Sequence, residues 1–367
     1  MDRKRRTRIL RFGTVAGVAL LGVCGLVFFA LRGHFESGPP QKDMPVDGAM
    51  RAEVVDGLIA NLSRFYVFPD KSAAMEKDLR ARALRGEFDS VTSAQEFART
   101  LTGLLQEGLH DRHLVVVYEQ AAIAEAPPGQ DRSPQEQAAE ALMQQRFNAG
   151  LETAGRLRGD LGYIDLHQFG RPQLAAGKIA AAMTLLADTH ALIVDLRNCG
   201  GGDPDTVMLF ASYLFDQRTH LNDVYWRDEN RTEERWTQVD VPGRKYGQAR
   251  KVYLLTSGDT FSGCEDLAYA LKNNGRATLV GETTGGGAHA GNPHRLNAHF
   301  QVFVPSGRPI SPVTHTDWEG TGVAPDIKAS ARSALDVAQV AALRELIATE
   351  TDPDWKERLS RRLADLE

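Results

Sequence analysis

Two kinds of hydrophobic spacing divide the chain. From about residue 51 to 109 the pattern is helical: Val54, Val55, Leu58, Ile59 and Leu62 recur on one face until Pro69 breaks the run. A later helix opens at Ser93-Ala94-Gln95-Glu96, a capping-box spacing, and lines up Phe97, Leu101, Leu104 and Leu105. These stripes read as core. Residues 121–137 are polar and Pro-containing and read as a connector. From about 160 the chain alternates strand and helix. Leu161–Leu166 and Ala191–Leu196 flank a helical stretch, Leu174–Asp188; Lys251–Thr256 and Arg276–Val280 flank another, Cys264–Asn273. This alternation predicts α/β architecture with some parallel pairing. Phe300–Val304, ended by Pro305-Ser306-Gly307, predicts an added strand or hairpin, and Leu335–Glu367 one or two surface helices around Pro353.

One segment belongs to neither pattern. Phe12 to Leu31 holds twenty residues without a charge, about 30 Å as a helix, which matches the hydrocarbon core of a bilayer. A cleaved signal peptide has a shorter apolar stretch followed by a small-residue site, and Arg32-Gly33-His34-Phe35-Glu36 offers no good one. The run therefore predicts an uncleaved anchor, with a signal peptide as the alternative. The organisation expected is a basic tail and anchor over 1–35, a linker over 36–50, a helical domain over 51–120, a connector over 121–160, an α/β domain over 161–335 and C-terminal helices over 336–367.

Charge sharpens this picture. Residues 1–11 hold six basic side chains and one acid, which keeps that end cytoplasmic by the positive-inside rule and exports the body. The remainder carries 37 basic against 47 acidic groups, a balance that argues against nucleic acid as a partner. The expectation is a single-pass membrane protein whose body faces the periplasm or the cell exterior, with the bilayer as a partner. An apolar content of 42% excludes a disordered chain, and three Cys exclude a small disulfide scaffold. Cys24 lies inside the apolar run, so only Cys199 and Cys264 remain in the body; whether they pair is left open.

The chemistry-bearing residues sit in three loops at element ends. Asp195-Leu196-Arg197-Asn198-Cys199-Gly200-Gly201-Gly202 follows an apolar strand, and its glycines let backbone N–H groups face an oxyanion. No Gly-Lys-Ser/Thr follows, so it is no P-loop, and the dinucleotide spacing is missing. Thr260-Phe261-Ser262-Gly263-Cys264-Glu265 starts a helix, where a Ser hydroxyl either caps the helix or serves as a nucleophile near N–H groups and the positive dipole end. Gly281-Glu282-Thr283-Thr284-Gly285-Gly286-Gly287-Ala288-His289 alone is only a flexible loop.

In this order the stretches DLRNCGGG, LTSGDTFSGCEDLAYALKNNGRATLVGETTGGG and WEGTGVAPDI resemble the C-terminal-processing (tail-specific) serine peptidases, in the branch of the tricorn protease core and the interphotoreceptor retinoid-binding protein repeats. The resemblance covers roughly 161–330, more weakly the helical region from about 50. It implies a crotonase-like or Clp-protease-like catalytic domain, preceded by a small helical domain, with Ser262 as nucleophile and no cofactor or metal. The tail-specific branch proper activates its Ser with a Lys, but the aligned position here is Gly287 and no Lys occurs from Asn273 to Ser306.

The tricorn-like branch uses a His and a Glu instead. Leu109-His110-Asp111-Arg112-His113-Leu114 resembles its Asp-x-His stretch and nominates His113 as base, with His110 competing. Trp318-Glu319-Gly320-Thr321-Gly322 resembles its closing motif and nominates Glu319, with Asp317 as the alternative. The N–H groups of Gly200 or Gly201 with Gly263 are the expected oxyanion hole. A hydroxyl, an imidazole and a carboxylate complete a nucleophilic set whose order along the chain is immaterial. His289, His294 and His315 lack metal-site spacing and read as structural scatter. The 47 residues between His113 and Leu161 are too few for the peptide-recognising PDZ domain of many relatives. Besides a peptidase acting on peptide or protein substrates, the fold admits a silent binding protein for an apolar ligand or peptide, and an acyl-CoA enzyme more distantly. Substrate preference and oligomeric state are not legible.

Overall fold

The computed structural model describes residues 41–125 and 134–367. Three helices open it: α1 (Gly48–Phe65), α2 (Pro69–Leu84) and α3 (Ala94–Leu109). Each starts where the sequence supplies a device. Asp47 accepts the Met50 N–H at the head of α1, Pro69 stands in the first turn of α2, and the Ser93 hydroxyl accepts the Glu96 N–H at 3.0 Å at the head of α3.

Next come β1 (Val115–Tyr118), α4 (Pro134–Arg146), β2 (Leu151–Leu157), β3 (Leu161–Leu166), α5 (Pro172–Leu186) and β4 (Ala191–Asp195). Then follow α6 (Pro204–Ser212), β5 (His220–Trp226), β6 (Arg231–Trp236), β7 (Lys251–Thr256), α7 (Gly263–Asn273) and β8 (Thr278–Gly281). The chain closes with β9 (Ala290–Arg295), β10 (Phe300–Ile310), β11 (Ile327–Lys328), α8 (Ala334–Thr349) and α9 (Pro353–Leu366).

The larger sheet has the order β11-β8-β7-β4-β3-β2, parallel throughout except for the β2–β3 pair. Its central strands are apolar on both faces because helices cover both, as parallel sheets require. Leu192 and Val194 of β4 pack with α5, α6 and α7, while Ala191 and Ile193 point to Ala338, Ala342 and Leu343 of α8 and Leu359 of α9. Each fully buried Leu or Ile here contributes roughly 1.5–3 kcal/mol relative to exposure. The second sheet is antiparallel, β1-β10-β5-β6 with β9 also on β10, and its inner face receives Val54, Leu58, Phe97 and Leu101 from α1 and α3. This is a mixed α/β fold preceded by a helical region.

Several expectations change. The stretch 121–160 holds α4 and β2 as well as connecting chain. The strand expected to end at Val304 runs on to Ile310, because a bulge between Pro305 and Gly307 absorbs the turn-like residues and lets β10 pair with β5. The expected single-pass membrane protein is corrected. Among the described residues no helix is long and apolar enough to cross a membrane; α1, at 18 residues, carries Arg51, Glu53, Asp56 and Arg64. The apolar run 12–31 lies outside the described residues.

Cys199, after β4, and Cys264, in the first turn of α7, form a disulfide with Cα atoms 5.9 Å apart and a sequence separation of 65. Closing that loop removes unfolded-state entropy. Replacing both cysteines by alanine is expected to lower stability by about 2–4 kcal/mol. The check is thermal melting of the oxidised wild type, the double variant and the wild type under reductant; unchanged melting would show that the bond contributes nothing.

Candidate active site

Ser262 is the last residue of the β7–α7 connection, the N-cap of α7, and it takes φ 52° and ψ −122°, a costly backbone for a residue with a Cβ. Neighbouring contacts hold it there. Its N–H donates to Glu265 Oε2 at 2.9 Å, and the same fully buried carboxylate accepts N–H groups of Gly286 at 2.7 Å and Gly287 at 2.8 Å and the Thr284 hydroxyl. Burial pushes the Glu265 carboxyl up to about 7, against the pull of these four donors. Glu265 thus ties the Ser262 loop to the 284–287 loop.

The glycine loop closes over Ser262 from the other side. Gly201 takes φ +115°, and a Cβ on it would lie 2.8 Å from Ser262 Cβ and 3.2 Å from Ser262 Oγ, so only glycine fits. The expected oxyanion donors fare differently. The Gly200 N–H donates to the His167 carbonyl at 3.0 Å, which removes Gly200 from the role expected of it. The Gly201 N–H points at Cys264 Sγ, 3.1 Å away. Among the described residues the N–H groups of Gly202 and Gly263 have no acceptor, and Gly202 N lies 3.2 Å from where a Cβ on Gly263 would stand. Below the loop Asp195 and Arg197 pair, with Nε to Oδ1 at 2.8 Å, and Arg197 also donates to the Ala331 carbonyl.

His113 arrives from the turn between α3 and β1. Its Nε2 stands 3.2 Å from Ser262 Oγ, and the ring packs against Phe261 at 4.7 Å between centroids. It is 3% exposed, and that burial lowers its pKa to about 4, only partly offset by the Asp111 charge; the imidazole is therefore neutral and able to accept a proton. Arg112 donates to the Gly285 carbonyl at 2.5 Å and fixes this turn against the glycine-rich loop. His110, the competing base, is the exposed left-handed cap of α3 and does not enter the site.

Glu319 meets the loop after β8, at Ala288 and His289. One of its oxygens accepts the Ala288 N–H at 2.6 Å and the His289 N–H at 3.2 Å, and lies 3.5 Å from His289 Nδ1. Burial, then the Asp111 charge, push its carboxyl up to about 7. The carboxylate beside His113 is Asp111: Oδ1 accepts the His113 backbone N–H at 3.1 Å and stands 4.0 Å from His113 Nδ1. Oδ2 meets His289 Nδ1 at 2.7 Å and the Tyr66 hydroxyl at 3.3 Å. Asp317, the alternative to Glu319, accepts the Glu319 N–H at 2.9 Å.

Sequence reasoning missed Asp111 and His289. The Asp-x-His spacing contained the first, whereas nothing local marks His289, which reaches Asp111 across 178 positions. The donor atoms of Asp111, His289 and Glu319 lie within 4.8 Å of one another, close enough for a metal ion, but the 2.7 Å contact between Nδ1 and Oδ2 is that of a shared proton. His294 stacks on Phe65 at 4.0 Å.

Lysine chemistry does not fit here. A Cβ at Gly287 would fall 2.1 Å from Phe261 Cζ and 2.7 Å from His113 Cε1, so the imidazole occupies the space a side chain from 287 would need. Lys272, the first lysine after Ser262, is held by Asp326 at 2.9 Å on the far part of α7.

Residues 160–329 match the model of "Peptidase family S41", and residues 49–151 match that of the "N-terminal domain of Peptidase_S41 in eukaryotic IRBP". The chain is 31% identical over 176 residues to the chloroplastic carboxyl-terminal-processing peptidase 3 of Arabidopsis thaliana, covering 47% of this chain and 32% of that protein. It thus spans about a third of the length of that relative. Among solved structures, mature CPAF superposes with a TM-score of 0.53 at 12% identity, covering 82% of this chain and 97% of that one. A lipoprotein from Streptococcus agalactiae gives 0.51 at 14%, covering 84% and 98%. These two likenesses concern the fold alone.

Proposed function

This chain belongs to peptidase family S41, and on that footing we propose that it is a serine-type peptidase in which Ser262 is the nucleophile and His113 its base. The observation that carries the reading is the 3.2 Å contact between Ser262 Oγ and the buried, neutral His113 Nε2. The Ser262 hydroxyl donates toward Nε2, passes its proton there as Oγ adds to the scissile carbonyl, and His113 returns the proton to the departing amine. Water then repeats the sequence in reverse on the acyl-enzyme.

The negative oxygen of the tetrahedral intermediate is received by the N–H groups of Gly263 and Gly202, the two left without acceptors beside Ser262. The start of α7 adds its positive dipole end. Glu319 supports the imidazole at one remove, through the backbone of Ala288 and His289. The substrate is a peptide or protein segment.

The test is labelling with a fluorophosphonate probe, followed by peptide mapping. Wild-type protein is expected to take up one probe at Ser262, Ser262→Ala none, and His113→Ala to label at least about 100-fold more slowly. An unlabelled wild type that also fails to cleave an unstructured peptide would overturn the reading in favour of a binding protein on the same fold.

A further inference from the structure

We propose that Asp111 and His289 form a buried ion pair that positions His113 and holds a negative charge beside it, so that both are positioning residues for the proton transfer from Ser262. The inference rests on the serine-peptidase reading above. It follows from how the two oxygens of Asp111 are divided. Oδ1 is committed to His113, through its backbone N–H at 3.1 Å and the facing Nδ1 at 4.0 Å. Oδ2 is committed to His289 Nδ1 at 2.7 Å, with the Tyr66 hydroxyl at 3.3 Å. Asp111 is 1% exposed and His289 4%, so neither contact is diluted by water.

A carboxylate this deep cannot stay ionised alone. Burial pushes Asp111 upward, but the hydrogen bond and charge of His289 outweigh it and hold the carboxyl below its usual range. Burial likewise disfavours the His289 cation, yet the Asp111 hydrogen bond, then the charges of Asp111, Glu319 and Asp317, hold it protonated above the usual imidazole value. Asp111, His289 and Arg112 carry charge toward His113, and of these three Asp111 is the anion. When His113 takes the Ser262 proton, the new imidazolium forms 4.0 Å from that anion. Glu319, whose carboxyl burial pushes up to about 7, anchors the His289 backbone N–H at 3.2 Å.

The pair also spans chain segments. Asp111 belongs to the turn that delivers the base, and His289 to the loop that Glu265 ties to the nucleophile. Its formation therefore registers His113 against Ser262.

The test is steady-state hydrolysis of an unstructured peptide by wild type, Asp111→Asn and His289→Gln across a pH series, with melting curves as the folding control. Asp111→Asn is expected to lower kcat by about 30–100-fold with KM changed less than about threefold, since the lost charge acts on the transition state. His289→Gln keeps a hydrogen-bond donor but no charge and is expected to lower kcat by about tenfold at neutral pH. The raised His289 pKa keeps the pair charged to higher pH than an ordinary imidazole would, and losing that proton weakens the tie that registers His113. Wild-type kcat should then fall at alkaline pH, and His289→Gln should lack that limb. A merely structural role would leave the pH profile unmoved. Wild-type kcat and an unchanged alkaline limb in His289→Gln would overturn the proposal, as would turnover abolished by chelator and restored by added zinc. If Asp111→Asn fails to fold, the His289→Gln profile still decides. A wild type that neither labels with fluorophosphonate nor turns over would instead sink the peptidase reading itself.

Discussion

Replacing Ser262 or His113 by alanine is expected to lower kcat on an unstructured peptide by about 10⁴–10⁶, equivalent to about 5–8 kcal/mol at 1.36 kcal/mol per tenfold. The double variant should lose little more than either single one, because nucleophile and base act as one unit across their 3.2 Å contact. Ser262→Ala should melt near the wild type, since it removes only a partly exposed hydroxyl, whereas His113→Ala deletes a buried ring packed on Phe261 and should melt lower. The acid side of the wild-type profile is also determined. An unperturbed imidazole would switch activity off near pH 6.5, whereas burial lowers His113 to about 4. Only the neutral ring accepts the proton, so activity should persist below pH 6 and be lost as pH falls toward about 4. Near-normal turnover in His113→Ala would remove it as the base.

Gly287→Lys, which installs the residue of the tail-specific branch at its aligned position, is expected to lower kcat by about 10²–10³ without creating a Ser–Lys enzyme. The new Cβ would overlap Phe261 at 2.1–2.3 Å and His113 Cε1 at 2.7 Å, so the imidazole must move before any ammonium can arrive. A displacement of about 1 Å at a reacting group costs on the order of 100-fold, and overpacking the site costs a further 1–3 kcal/mol or so of stability. Turnover should be measured beside fluorophosphonate labelling, since Ser262 remains. Retained wild-type kcat would mean that the 285–289 loop yields easily, contrary to its ties to Glu265 and Trp318.

The parallel core was legible because β4 and β7 are short apolar runs with helical periodicity beside them, and the same pattern exposed α7. Elements stabilised mainly by distant partners were not. β9, β5 and β6 carry polar residues such as Asn292, Asn222 and Glu233 and gain their strand form from pairing. Pro305-Ser306-Gly307 has the chemistry of a turn, and only the packing of Gly307 under Trp226 makes it a bulge within β10. In the site, local motifs point to Ser262 and His113. The partnership of Asp111 with His289 joins residues 178 positions apart, and no periodicity encodes it. Gly200 fails as a donor for a similar reason: its N–H is taken by His167, on a different connection.

The placement of β1 has a consequence for when the proposed site can assemble. His113 lies two residues before Val115, and among the described residues β1 pairs in its sheet with β10 alone, Val115 opposite Phe303. A growing chain therefore carries the proposed base early and the proposed nucleophile 149 residues later, and β1 gains its partner only when the strand beyond residue 300 has emerged. The proposed site is thus completed only late in synthesis, once β10 is available to pair with β1.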